Sequence, residues 1–441
     1  MHNSPVNETP RMAATDEPFA IYHGRVISRG QLWADVAALA RQLPEQPYLF
    51  NLCENRYLFC ICLLAAAARK QTCLLPPSNQ SAVIEEIRQT YPAAYLASDK
   101  NLPGNLEYID IQAASLPPSS AAVELDWDRP AVIAFTSGST GHPKPCAHSL
   151  RTFALSAQMA IGALGLSGQC RVMISTTPPQ HMYGLETSVF WPLFSSLVLY
   201  DGRPFFPEDI RLAVATAPRP AILASTPTHL RSMVGAEGDW PNLTGILSAT
   251  DTLPSTLANE MAAILGQSPR EIYGSTETLS FASREILQDP LWRPYPGSRL
   301  TQDHAGQVWL ASPHLPNSIT LQDAIRIHQD GRFEALGRHD DMIKVGGKRI
   351  SLSELNRRLK AIEGVEDGFC FLQQHDHGAR LAAVVVSHLN GQDIRRSMKA
   401  TVDEVFMPRK IHFVDHIPRN EAGKLSKSAR ESLLAVLNAC N

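Results

Sequence analysis

Short apolar runs recur along this chain with helical stretches between them, and that alternation limits the folds open to it. The runs are Tyr48–Cys53, Thr72–Leu75, Ala131–Phe135, Arg171–Ser175, Ala221–Ala224 and Gly245–Ser248. Between them, stretches such as Ser28–Leu43 place Leu32, Val36, Leu39 and Leu43 at helical spacing, one apolar stripe to lay against a sheet. Strand, helix, strand in this order predicts βα units and largely parallel sheets, with ligand sites at the strand ends. At about 150 residues per domain, 441 residues suggest two or three lobes.

The pattern changes near Gly337–Lys348, where GRHDDMIKVGGK combines charges with two adjacent glycines and reads as a linker or hinge. About a hundred residues follow, with a helix expected over Ser353–Ala361 and strands over Asp367–Leu372, Arg380–Val386 and Lys410–Val414. The expected fold is α/β: a large N-terminal domain of mainly parallel sheets flanked by helices (1–339) and a small mobile α+β C-terminal domain (340–441).

Forty Lys and Arg against 43 Asp and Glu leave a net charge of −3, so no overall field favours nucleic acid or an anionic bilayer. Small ligands are the better expectation. The longest apolar run, Tyr57–Ala68, is flanked by Arg56 and Arg69 and falls short of the roughly 20 residues that span a membrane. It reads as a buried helix. Met1–Glu17 is polar, without the basic start and apolar stretch of a secretory signal, and reads as a frayed tail. The eight cysteines form no CxxC pair, which fits reduced packing thiols and a cytoplasmic location.

Four segments carry chemistry. Thr136-Ser-Gly-Ser-Thr-Gly-His-Pro-Lys144 follows an apolar strand and precedes a helical pattern from Ser149. Glycines at 138 and 141 let backbone N–H groups turn toward an anion, and Ser137, Ser139, Thr140 and Lys144 can donate to phosphate oxygens. The spacing excludes a Walker A loop, because Pro143 stands five residues after Gly138. An ordinary Ser/Gly surface loop is the alternative. In Glu271-Ile-Tyr-Gly-Ser-Thr-Glu277-Thr278, a carboxylate follows a glycine turn and two hydroxyls; Glu277 with Thr140 suits Mg²⁺, which keeps most of its shell for water and phosphate. The alternative for Glu277 is a residue stabilised at a helix N-terminus. The third and fourth segments are Gly337–Arg349 and Pro418-Arg-Asn-Glu-Ala-Gly-Lys424-Leu.

In this order and separation the four segments resemble those of the adenylate-forming enzymes: acyl-CoA synthetases, aryl-CoA ligases, nonribosomal-peptide adenylation domains and firefly luciferases. The likeness runs from about Leu32 to Lys427. It implies a triphosphate-holding role for Thr136, Ser137, Gly138, Ser139, Thr140, Gly141 and Lys144, nucleotide binding for Tyr273, a phosphate contact for Thr276 and a Mg²⁺ partner in Glu277. It further implies ribose contacts from Asp323 and Arg338, a hinge at Asp340, a pantetheine path past Gly346 and Gly347, and in Lys424 the lysine that enters the site for adenylation. The Thr-Gly usual before the ribose aspartate is Leu321-Gln322 here, so Asp323 rests on its spacing. The implied cofactors are ATP and Mg²⁺, with CoA or the phosphopantetheine of a carrier protein as acceptor. Elementary electrostatics points the same way. Joining a carboxylate to the α-phosphorus of ATP brings two anions together, so the site must supply positive charge, and a mobile ammonium such as Lys424 suits the first step only.

Thr177-Pro-Pro-Gln-His-Met-Tyr-Gly-Leu-Glu186 resembles the segment of acyl- and aryl-CoA ligases that gates the acid pocket. Amino-acid-activating relatives usually carry an aspartate there; His181 and Tyr183 favour an uncharged aromatic or fatty acid. A structural histidine is the other reading of His181. The combination LCENRY, LLPPSNQ, TTPPQHMYGLE and EIYGSTET looks most like short ligases of aryl polyene pathways, which load an acyl starter onto an acyl carrier protein. Two alternatives stand beside this reading: a noncatalytic nucleotide- or acyl-binding module of the same fold, and an amino-acid adenylation domain. Cys146 reads as a buried small residue, since no histidine is positioned by sequence to activate it, and His375-Asp-His377 as a solvated turn.

Overall fold

The computed structural model describes residues 15–102, 107–113, 116, 119, 122–137, 143–236, 238–304, 306–338, 342–345, 348–373, 380–399, 401–420, 423 and 425–439. Most of the expected tail lies outside them. Its last residues are pinned, with the N–H groups of Gly30 and Arg29 donating to the carbonyls of Thr15 and Glu17.

Two sheets dominate. The larger has nine strands in the order Arg293–Pro294, Leu279–Arg284, Arg270–Ser275, Leu243–Ser248, Ala221–Ser225, Val172–Ser175, Val198–Tyr200, Pro18–Tyr22 and Arg25–Ser28. The six strands from Arg270–Ser275 to Pro18–Tyr22 pair in parallel, and antiparallel strands close both edges. The second sheet has six strands, Ile109–Asp110, Ala94–Ser98, Tyr48–Asn51, Thr72–Leu75, Pro130–Ser137 and Pro143–Ser149; all pair in parallel except the final hairpin.

Between the sheets lie helices Arg29–Ala40 and Arg56–Ala68 and the first turns of Leu150–Ala163. Arg56–Ala68 is apolar on every side because it is covered on every side: each residue from Arg56 to Ala67 is buried. Its start is set by Asn55, whose side chain accepts from the N–H groups of Tyr57 and Leu58. Period-two alternation gives each parallel strand two apolar faces. Val172, Ile174 and Leu223 meet helices Pro207–Thr216 and Ser255–Leu265 on the outside, while Met173, Ile222 and Ala224 face Leu150–Ala163 within.

The C-terminal part builds its own core. Helices Leu352–Lys360 and Gly391–Lys399 cover one face of the sheet Val365–Gln373, Arg380–Ser387 and Lys410–Phe413, through Leu355, Leu359, Ile394 and Met398. Helix Lys427–Ala439 covers the other face with Leu433, Leu434 and Leu437. No residue before Ile343 belongs to either cluster. The α/β class with a large parallel-sheet body and a smaller α+β lobe is thus as the sequence predicts. Among the described residues no helix is long and apolar enough to cross a membrane.

Candidate active site

The parallel strands bring their hydroxyl-bearing carboxyl ends to one level: Ala224 stands opposite Ser175 and Ser225 opposite Ser248. Thr176 Oγ1 lies 3.0 Å from both Ser225 Oγ and His229 Nδ1. Burial, then the nearby Arg203 charge, pulls His229 down to about 4, so this imidazole is neutral at neutral pH. Ser248 Oγ and Thr177 Oγ1 are buried with no hydrogen-bond partner among the described residues, the condition expected where a ligand's polar end completes a site.

Strand Arg270–Ser275 runs into a tight turn that presents Glu277. Ser275 N–H donates to Thr278 Oγ1 at 2.9 Å, and Thr278 N–H to Ser275 Oγ at 3.2 Å, a reciprocal closure like that of a capping box. Gly274 is required, since a Cβ there would fall 2.1 Å from the Leu279 carbonyl oxygen. Thr278 is buried and Glu277 exposed, so the carboxylate is left facing outward.

The Ser/Thr/Gly segment falls between two paired strands. Strand Pro130–Ser137 pairs antiparallel with Pro143–Ser149, Thr136 opposite Lys144, and helix Leu150–Ala163 begins only after this return strand, capped by Ser149. The return strand reaches the turn at Glu277 directly. His148 Nε2 lies 2.7 Å from the Thr276 carbonyl oxygen, and Cys146 Sγ lies 3.6 Å from the same oxygen and 3.4 Å from His148 Nε2. A histidine does therefore stand beside Cys146, contrary to the sequence expectation. The thiol is not activated: burial and the Glu277 charge push it up to about 11, as suits a packing residue.

On the far side of the turn, Tyr273 Oη donates to Asp323 Oδ2 at 2.6 Å, its ring set among Phe281, Trp292 and Phe333. Asp323 stands opposite Arg338 in the hairpin formed by Asp323–Ile327 and Phe333–Arg338. Thr276, Glu277, Tyr273 and Asp323 thus gather around one turn, and the strand that carries Lys144 reaches it through Cys146 and His148. Gly138, Ser139, Thr140, Gly141, Asp340, Gly346, Gly347 and Lys424 lie outside the described residues, as do His375 and His377 and the side chains of Thr136, Ser137 and Arg338.

His181 caps the short helix Met182–Leu185, its Nδ1 accepting from Tyr183 N–H at 3.3 Å. Tyr183 Oη donates to the Leu247 carbonyl at 2.9 Å, tying this segment to the strand ends. Two supporting residues escape sequence reading although their segments stand out. Arg56 is fully buried and donates to the carbonyls of Ser175, Thr177 and Gly202 and to Ser188 Oγ. Burial, followed by Arg203, pulls its guanidinium down to about 9. Glu186 accepts from Ser280 N–H at 2.9 Å, Ser280 Oγ at 2.7 Å and Ser156 Oγ at 3.2 Å; burial outweighs these bonds and raises its carboxyl to about 7.

The late segment meets this region. Gly423, at φ +74°, sits where a Cβ would come within 3.0 Å of both Thr226 Oγ1 and Thr228 Oγ1. Glycine is the one residue that meets both the left-handed backbone and the close approach. Arg419 holds the turn by donating to the Gly423 carbonyl at 3.0 Å and to both oxygens of Asp367. Across the same seam Lys360 pairs with Asp251.

The AMP-binding enzyme family matches residues 42–308, more than half of the chain. The chain belongs to this adenylate-forming family. It is 27% identical over 363 residues to a dimodular nonribosomal peptide synthase of Bacillus subtilis (strain 168), covering 71% of this chain but 15% of that protein. Against a 4-coumarate–CoA ligase of Halorhodospira halophila the identity is 28% over 307 residues, covering 66% of this chain and 73% of the ligase. The o-succinylbenzoate CoA synthetase MenE of Bacillus subtilis, solved with its acyl-adenylate intermediate OSB-AMP, superposes with a TM-score of 0.81 at 19% identity, covering 95% of this chain and 96% of that one. At that identity the likeness establishes the fold. AMP-binding enzymes use ATP with a divalent cation, and the donor set here is of the matching kind. One exposed carboxylate, at Glu277 next to Thr276, suits a cation that arrives with phosphates.

Proposed function

We propose that the protein activates a small carboxylic acid with ATP and transfers the acyl group to a thiol. The convergence of the phosphate-loop hairpin, the Glu277 turn and the Tyr273–Asp323 pair on one locus carries this reading. In the first half-reaction a substrate carboxylate oxygen attacks the α-phosphorus; the bond from that phosphorus to the bridging oxygen breaks, and pyrophosphate leaves with the electron pair. In the second, a thiolate attacks the acyl carbon, the acyl–oxygen bond breaks and AMP leaves. Lys144 and the hairpin amides hold the phosphates, Tyr273 and Asp323 the nucleoside, and Glu277 with Thr140 the Mg²⁺, which supplies positive charge to the phosphate oxygens. Lys424, carried next to Gly423 on the small domain, donates to the developing charge in the first step. Rotation of residues 340–441 about Asp340 then withdraws it and opens the Gly346–Gly347 path to the pantetheine arm.

His181 in place of an acidic residue, and the apolar surroundings of Tyr183, support an aromatic or fatty acid over an amino acid. The acceptor is CoA or the phosphopantetheine of an acyl carrier protein, the latter if the chain serves an aryl polyene type of pathway. The likeness to a peptide synthase supports the rival amino-acid reading. Acid-dependent exchange of labelled pyrophosphate into ATP, screened over fatty, benzoic and cinnamic acids and the amino acids, decides between them. Lys424→Ala should lower that exchange about a hundredfold, the scale of losing one transition-state donor, while sparing thiol transfer from a supplied acyl adenylate. Equal loss of both half-reactions, or of neither, overturns the assignment of Lys424.

A further inference from the structure

The peptide segment that carries Glu277 is gripped from behind by two histidines. His148 is 5% exposed and His314 2%. His148 Nε2 lies 2.7 Å from the carbonyl oxygen of Thr276, and His314 Nε2 lies 2.7 Å from that of Thr278. A carbonyl only accepts, so both rings carry their proton on Nε2. For His314 the other nitrogen is fixed as well. Nδ1 accepts from Ser312 Oγ at 2.8 Å, and Ser312 in turn accepts from Ser298 Oγ at 2.9 Å, so one hydroxyl relay sets the ring's tautomer and angle. Two residues further on, Glu186 takes the N–H of Ser280. Positions 276, 278 and 280 are thus anchored into the protein in alternation, and Glu277, between the two gripped carbonyls, faces out.

We propose that His148 and His314 are positioning residues for the cation–nucleotide site: by holding the carbonyls on either side of Glu277 they fix the direction in which its carboxylate is presented. The inference rests on the adenylating function proposed above. Two features argue that the arrangement serves more than packing. The turn already closes itself through Ser275 and Thr278, so the grip adds orientation to a loop that needs no further closure. The two histidines also come from different parts of the chain, one from the return strand of the phosphate-loop hairpin and one from the segment after Val308–Ala311. His148 therefore links the phosphate-holding hairpin to the cation-holding turn, setting the spacing between two halves of one ligand.

The test uses the full chain and a readout other than turnover: Mn²⁺ titration with α,β-methylene-ATP, followed by electron paramagnetic resonance. His148→Leu and His314→Leu should each weaken Mn²⁺ binding in the presence of the nucleotide by about tenfold or more, the scale of losing an outer-shell partner. His148→Gln and His314→Gln, which keep an N–H near the same place, should recover to within about threefold. KM for the acid should stay at the wild-type value in all four, while KM for the Mg²⁺ nucleotide rises in the two Leu variants. Leu variants that melt earlier yet bind Mn²⁺ and nucleotide like wild type, or Gln variants as impaired as Leu, overturn the positioning role alone. A wild-type chain that holds no Mn²⁺ with the nucleotide overturns the adenylating reading, and the positioning role with it.

Discussion

Polar groups are organised differently beneath the site and along the seam where the late segment meets the large body. Beneath the site they are buried and biased toward their neutral forms: His148, His229 and His314 are all shifted down by desolvation, and Glu186 is shifted up. Arg56, a buried cation that donates mainly to carbonyls, and the buried Glu271–Arg284 ion pair are exceptions. At the seam the partners are ions. Lys360 pairs with Asp251 from the large body, while Arg419 and Asp367 form a two-pronged pair beside it. Burial alone would raise Asp251, but the Lys360 and Arg419 charges hold it below the usual carboxylate range. Neutral networks under a packed floor lose heavily when one member goes, because water cannot replace it. Ion pairs at a partly wet boundary exchange for hydration at small net cost, as the proposed swivel of the small lobe would require.

The sharpest way to break this contrast is at Arg56. Arg56→Ala strips hydrogen bonds from the carbonyls of Ser175, Thr177 and Gly202 and from Ser188 Oγ. At about 1 kcal/mol or more for each orphaned group, the expected loss is roughly 4 kcal/mol of unfolding free energy. Urea denaturation measures it, and a loss below about 1 kcal/mol shows that the floor relaxes or admits water.

Glu186 offers a pH-resolved version. Its carboxyl is raised from 4.5 to about 7, so the fold favours the protonated form. The stability it contributes is complete below about pH 4.5 and is lost as pH rises through about 7. Glu186→Gln removes the titration and keeps the shape. Between pH 4.5 and 8, wild type should lose stability relative to this variant by on the order of 3 kcal/mol, one pKa unit being worth about 1.4. Parallel pH profiles for the two proteins would mean that the three donors from Ser280 and Ser156 keep the carboxylate ionised after all.

The same contrast explains what was legible in the sequence. The parallel strands announce themselves because they are apolar on both faces, and Arg56–Ala68 because it has no polar face. The return strand Pro143–Ser149 does not, since PKPCAHS carries two prolines and few β-formers; it is tolerated as the edge partner of a hairpin. Within the proposed site, Lys144, Tyr273, Thr276, Glu277 and Asp323 can be nominated from sequence because they lie in motifs whose local order is itself the signal. His148 and His314 are not, for each acts on a carbonyl 128 and 36 residues away, and a lone histidine has no local pattern. Arg56 and Glu186 lie inside the distinctive segments LCENRY and TTPPQHMYGLE, yet only the fold shows what they hold.

The smallest stability effect, and the most telling for function, belongs to the seam. Lys360→Ala breaks the ion pair to Asp251 at the end of helix Leu352–Lys360 but leaves the small lobe's own core, Leu355 and Leu359 included, untouched. The change in unfolding free energy should stay below about 1 kcal/mol, as for partly exposed pairs generally. Distances between dyes on the two lobes, measured by single-molecule energy transfer, should nevertheless shift away from the pose in which Gly423 rests against Thr226 and Thr228. A pair worth about 1 kcal/mol changes a two-state ratio roughly fivefold, enough to read in such a distribution and too little to register in a melt. If Lys360→Ala destabilises the protein by several kcal/mol and leaves the distance distribution unchanged, the seam is a fixed interface like the floor, and a small lobe that swivels about Asp340 loses its support.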